Sequence, residues 1–126
     1  MGLNILVVDD SSVMRSMIIK TIKLSGADIG TIYQAGNGQE GLDLLEKESV
    51  DLVLMDINMP VMDGMEMLEK VRSNPGTSDV PVMVVSTESN EQRISLFYEY
   101  GASFVHKPFT PEELGEEIDN LTSSLS

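Results

Sequence analysis

The sequence predicts an α/β fold, a doubly wound parallel sheet of five strands, on three observations. First, two short runs, residues 5–8 and 52–55, are wholly apolar and each leads straight into carboxylates, Asp9-Asp10 and Asp56. Runs this short and this apolar read as strands buried on both faces, as in parallel sheets. Second, strand patterns alternate with helical ones along the whole chain, about one pair per 25 residues. Third, helix-capping signals fall just after the strand ends.

The elements follow in order. Residues 4–8 form the first strand. Val13, Met14, Met17, Ile18 and Ile22 recur at helical spacing, and Gly26 is placed to end that helix. Residues 31–35 form a shorter second strand, and Gly36-Asn37-Gly38 is a turn. Leu42 and Leu45 mark the second helix, residues 52–55 the central strand, and Met65, Leu68 and Val71 the third helix, closed by Asn74-Pro75-Gly76. Residues 81–86 form the fourth strand, and Ile94 and Phe97 anchor a helix stopped by Gly101. Residues 103–106 form the fifth strand, and Leu114, Ile118, Leu121 and Leu125 make the stripe of the last helix. Capping-box spacing joins Asn37 with Glu40, Asp63 with Glu66, Ser89 with Gln92 and Thr110 with Glu113, and Pro111 takes the favoured first helical position. Helix N-termini therefore point to the sheet edge that carries the acids, and offer partial positive charge there.

Composition narrows the chemistry. One domain, residues 1–126, accounts for the length, and no linker or low-complexity tract divides it. With 21 acids against 8 bases the net charge is -13, the wrong sign for nucleic acid or an anionic membrane surface. The chain has no cysteine, which excludes disulfides, thiolate zinc sites and thiol catalysis. No signal peptide and no transmembrane stretch is read, so the expected location is cytoplasmic.

An acid after a strand is ordinarily a turn former or a cap, and for Asp9 or Asp10 alone that plainer reading stands. The trio Asp9, Asp10 and Asp56 is different. If the first and third strands are neighbours, as in strand order 2-1-3-4-5, three carboxylates converge on one pocket at the carboxyl edge. Three anions so placed require a cation, and oxygen ligands without His or Cys select a hard one, Mg²⁺ best. Ser86 and Lys107 end the fourth and fifth strands on the same edge. Each alone reads as a solvated loop residue, but together they supply the hydroxyl and ammonium that a phosphoryl group needs. Lys107 precedes Pro108, and the general preference of X-Pro bonds reads that bond as trans.

Three features carry less. Gly36-Asn37-Gly38-Gln39-Glu40-Gly41 matches G-x-G-x-x-G, but on the second strand and in a chain too short for two mononucleotide halves. It reads as a glycine turn with an Asn cap. His106 is a lone histidine on a core strand, read as structural. The nine methionines read as adaptable packing.

Val8-Asp9-Asp10-Ser11, Met55-Asp56-Ile57-Asn58-Met59-Pro60 with Asp63-Gly64, Ser86, and Lys107-Pro108-Phe109 occur in this order across essentially the whole chain. The set resembles the receiver domain of two-component response regulators, most closely the single-domain, CheY-like kind. That resemblance implies a flavodoxin-like (βα)5 fold with strand order 2-1-3-4-5 and no output domain. It implies a phosphoryl switch in a two-component or phosphorelay system, with Asp56 accepting a phosphoryl group from a sensor histidine kinase or phosphotransfer protein. It implies Mg²⁺ held by Asp10 directly, Asp9 through water, Asp56, and the backbone carbonyl of Asn58. Ser86 is the hydroxyl that turns towards the phosphoryl group, Lys107 the lysine that pairs with it, usually before a cis proline, and Phe104 the aromatic switch. Asn58 and Glu88 lie at positions that tune phosphoryl lifetime, and resemble those of fast chemotaxis regulators.

A chemotaxis-like output through protein contact follows from the same resemblance. It implies limited self-catalysed phosphorylation and dephosphorylation rather than a turnover enzyme. Two other readings remain at this stage. One is a degenerate, unphosphorylated receiver acting as an interaction module. The other is a Mg²⁺-dependent aspartyl-phosphate hydrolase, which wants an acid where Asn58 stands.

Overall fold

The computed structural model describes residues 2–122. Five strands alternate with five helices: β1 Leu3–Val8, α1 Ser12–Leu24, β2 Ile29–Ala35, α2 Gly38–Lys47, β3 Leu52–Met55, α3 Gly64–Ser73, β4 Val82–Ser86, α4 Glu91–Glu99, β5 Ser103–His106 and α5 Pro111–Thr122. The strands form one parallel sheet in the order β2-β1-β3-β4-β5, as the acid trio required. Alternation of side chains along each strand divides the apolar residues into two cores. Leu6, Val8, Val53, Met55, Val82 and Val84 pack with Leu45 of α2, Leu68 of α3 and Phe97 of α4. Ile5, Val7, Leu52, Leu54, Met83 and Val85 pack with Ile18 and Ile22 of α1 and Leu114 and Ile118 of α5. Central strands β3 and β4 are buried along their whole length, which is why they carry no polar residue before Ser86. At about 25 cal/mol per Å² of apolar surface, these two layers are the main favourable contribution to stability.

Boundaries differ from the sequence reading in a few places. β2 begins at Ile29, earlier than residue 31, because Leu3 pairs with Ile29 across a register irregularity near Gly30. The N-cap of α4 is Asn90 rather than Ser89: its side chain accepts from the N–H of Arg93, and no Ser89–Gln92 capping pair forms. The other three caps stand, with Asn37, Asp63 and Thr110 accepting from the N–H groups of Glu40, Glu66 and Glu113. Ser11 caps α1 in the same way. The Lys107–Pro108 bond is cis, against the trans reading from general preference. His106 is exposed at the strand end, where its ring meets that of Phe104 at a tilt. Leu125 lies outside the described residues.

Arg72 fastens α3 to its neighbours. Its guanidinium donates to the carbonyls of Val80 (2.6 Å), Ser78 (3.1 Å) and Tyr100 (2.6 Å), which lie in the loops before β4 and after α4. Burial lowers its affinity for a proton, and the charge of Asp79 opposes that. Among the described residues, no helix is long and apolar enough to cross a membrane.

Candidate functional site

Register decides the site. Val8 of β1 lies beside Met55 of β3, and Met55 beside Val84 of β4. Each strand runs on by one hydrogen bond past its end: Asp56 N–H donates to Val8 O at 3.0 Å, and Lys107 N–H to Ser86 O at 2.9 Å. The next side chains therefore gather on one edge. Asp9, Asp10 and Asp56 each offer a carboxylate oxygen within 4.8 Å of the others. Gly64 lets the β3–α3 loop fold back over this point, for a Cβ there would lie 2.4 Å from Asp56 O.

Asp9 is buried, at 2% exposure. Its Oδ1 accepts from the N–H of Ser11 at 2.9 Å, while Oδ2 is buried with no hydrogen-bond partner. Among the described residues Ser103 Oγ is the other such buried side-chain atom. Among the described residues the nearest cation to Oδ2 is Lys107 Nζ at 3.8 Å, too far for a hydrogen bond. Burial pushes the Asp9 carboxyl up, the Ser11 N–H draws it down, and the neighbouring charge of Asp56 adds to the rise. Lys107 offsets part of this, and Asp10 adds a smaller push upward. Arg15 cannot neutralise the cluster through its Nη1, which donates to the backbone carbonyl of Asp9, while its Nε donates to Gln34.

The donor set fits a hard divalent cation. All three ligands are carboxylate oxygens, one is a buried oxygen lacking a partner, and no His or Cys stands in the cluster. Asp10 is exposed and Asp56 half-buried, which leaves an open side for water or a phosphate oxygen.

Ser86 is buried at 3% exposure, and its Oγ accepts from the N–H of Glu88 at 3.1 Å. Asn58 is exposed, two residues past Asp56. Phe104 does not reach the acids by sequence proximity. It lies beside Val84 on β5, half-buried, with ring centroids 6.4 Å from Phe97 and 4.7 Å from His106. The G-x-G-x-x-G stretch is structural: Gly38 N–H donates to Met62 O, and a Cβ on Gly38 would lie 2.8 Å from that oxygen. Its glycine admits the β3–α3 loop rather than a pyrophosphate.

Sequence reading missed the arginines. Arg15 follows the acids by a turn and a half of helix, and only the fold shows that it holds the Asp9 backbone. Arg93 stands five residues after Glu88, a spacing that joins them only because a loop precedes the α4 cap.

The fold is a flavodoxin-like α/β one, with a pocket of three carboxylates at the carboxyl edge of its sheet. The chain belongs to the response regulator receiver domain family, whose model, "Response regulator receiver domain", matches residues 5–119. Curated relatives described as "Chemotaxis protein CheY homolog", from strains of Campylobacter jejuni subsp. jejuni, are 37% identical over 98% of this chain and 95% of their own length. Among solved structures, the Vibrio cholerae chemotaxis protein CheY4 is 30% identical with a TM-score of 0.84, covering 96% of this chain and 99% of that one. A CheY-like receiver domain protein from Methanospirillum hungatei is 26% identical with a TM-score of 0.85, covering 98% and 96%.

Proposed function

We propose that this chain is a phosphoacceptor signalling protein in which Asp56 takes a phosphoryl group from a phosphohistidine of a sensor kinase or phosphotransfer protein. The observation that carries this is the convergence of Asp9, Asp10 and Asp56 around a buried Asp9 oxygen without a partner, with Lys107 at 3.8 Å. An Asp56 carboxylate oxygen attacks phosphorus, the phosphorus–nitrogen bond breaks, and its electron pair returns to the donor imidazole. Mg²⁺ held by Asp10, Asp56, the Asn58 carbonyl and, through water, Asp9 would screen the charge of the incoming phosphoryl oxygens. Lys107 pairs with one of those oxygens. Ser86 donates its hydroxyl to another, and we read its turn towards that oxygen as drawing Oγ away from the Glu88 N–H.

Phosphorylation then biases an equilibrium between two packings of the β4–α4 loop and the α4–β5–α5 face, with Phe104 among the residues that move. The altered face binds a target protein, and the names of the relatives favour a chemotaxis output; we read the chain as acting in the cytoplasm. The chain acts stoichiometrically, with limited self-catalysis at Asp56, and is not a turnover enzyme. A hydrolase would want a second acid at Asn58, and the intact set of Asp9, Asp10, Asp56, Ser86 and Lys107 speaks against a degenerate module.

Intact-protein mass after incubation with acetyl phosphate tests the reading. One added phosphoryl group is expected with Mg²⁺, none with EDTA, and none in Asp56→Asn. No adduct under any condition, together with no amide shifts on adding beryllofluoride, would overturn it.

A further inference from the structure

We infer that Arg93 is a positioning residue of the phosphoryl switch: through Glu88 it fastens the Ser86 loop to the first turn of α4 in the resting form. The inference rests on the proposed phosphorylation of Asp56 and on Ser86 turning to meet the new group. A chain of contacts carries it. Ser86 Oγ accepts from the Glu88 N–H at 3.1 Å. Oε1 of Glu88 accepts from Arg93 Nη1 at 2.7 Å, and Oε2 from the N–H groups of Ser89 (3.2 Å) and Asn90 (3.0 Å). The backbone of Arg93 is held in the first turn of α4, because its N–H donates to the capping side chain of Asn90 at 3.0 Å.

Both oxygens of Glu88 are thus committed to the start of α4, while its N–H is committed to Ser86. The Glu88 side chain is 19% exposed and that of Arg93 50%, so solvent screens this pair only in part. The same helix carries Phe97, whose ring meets Phe104 on β5. Arg93 therefore stands on the element that joins the hydroxyl at the site to the aromatic of the proposed output face. When Ser86 leaves the Glu88 N–H for a phosphoryl oxygen, this resting arrangement is what gives way. A contact made in one state only holds the equilibrium towards that state by its own worth, and removing it favours the other.

The test is binding of beryllofluoride with Mg²⁺, followed by amide shifts, in the native chain, Arg93→Gln, Arg93→Lys, Glu88→Gln and the double variant Glu88→Gln/Arg93→Gln. Arg93→Gln should bind the phosphate mimic more tightly, by roughly twofold to fivefold, the scale of a partly exposed ion pair. Arg93→Lys should stay near the native affinity, and the gain of Arg93→Gln over the native chain should shrink in high salt. In the Glu88→Gln background the Arg93 substitution should add little, because the partner is gone. A merely structural role would lower the melting temperature of Arg93→Gln and leave its affinity unchanged. That outcome, with the native chain binding normally, would overturn the role of Arg93 and spare the phosphorylation reading. A native chain that binds no beryllofluoride would overturn both.

Discussion

Asp9 shows how much one side chain bears in this protein. Its carboxylate is buried beside two others and has one oxygen without a partner, and a more distant ammonium does not fully offset this. The raised pKa has a definite consequence for stability. Between the unfolded value, 3.8, and the higher folded one, the native state holds more protons than the unfolded state, so stability falls as pH rises through that window. Above it the cost is fully present. Asp9→Asn keeps the shape and the acceptor for Ser11 but removes the charge. Without metal, it should therefore be more stable than the native chain at pH 7, on the order of 1 kcal/mol, the usual scale of single substitutions. The gain should fade as the pH falls through the raised folded value and be lost below 3.8, where Asp9 of the native chain is protonated in both states. Urea melts in EDTA at pH 7 and pH 4 measure this. A variant less stable at pH 7, or a gain that does not shrink in acid, would show that the buried charge is already compensated.

Elements were legible where one local rule decided them. The apolar runs of β3 and β4 announce burial on both faces, and Asn37, Asp63 and Thr110 announce helix starts with acceptors at the right spacing. Ser89 misled because a Ser and an Asn stand side by side, and it is the Asn90 side chain that accepts from the Arg93 N–H. The acid pocket was legible because strands carry their last residues to a common edge. The ties of Arg15, Arg72 and Arg93 were not, since each joins residues whose adjacency exists only after folding. Val61 is another feature set by the fold. It lies in the loop after β3 with φ of 67°, and the residue is 80% exposed. A β-branched residue pays for the left-handed region without gaining burial, at roughly 1 kcal/mol. Val61→Asn should raise the melting temperature by about 3–5 °C, since Asn tolerates that conformation. Calorimetry checks this, and an unchanged or lower midpoint would mean that the loop relaxes the strain in another way.

At the scale of the whole molecule, a net charge of -13 and a local excess of charge at one edge are separate effects, and metal tells them apart. Diffuse repulsion is screened by any salt, whereas the pocket of Asp9, Asp10 and Asp56 calls for an ion that can sit among three oxygens. A ligand bound only by the folded state adds RT ln(1 + [L]/Kd), about 1.4 kcal/mol when present at ten times its dissociation constant. In a chain of this length that corresponds to a rise of about 4–6 °C in the melting temperature. Mg²⁺ should produce it over a NaCl control of equal ionic strength, and Asp10→Asn should remove most of it while keeping the response to NaCl. Asp10 is the apt position because it is exposed, so its substitution disturbs no packing and changes the pocket through its oxygens alone. If NaCl matched Mg²⁺ in the native chain, the acids would be part of the general charge rather than a site. If Asp10→Asn kept the full Mg²⁺ response, the ion would be bound elsewhere, and the pocket would hold its charges apart by water and Lys107 alone.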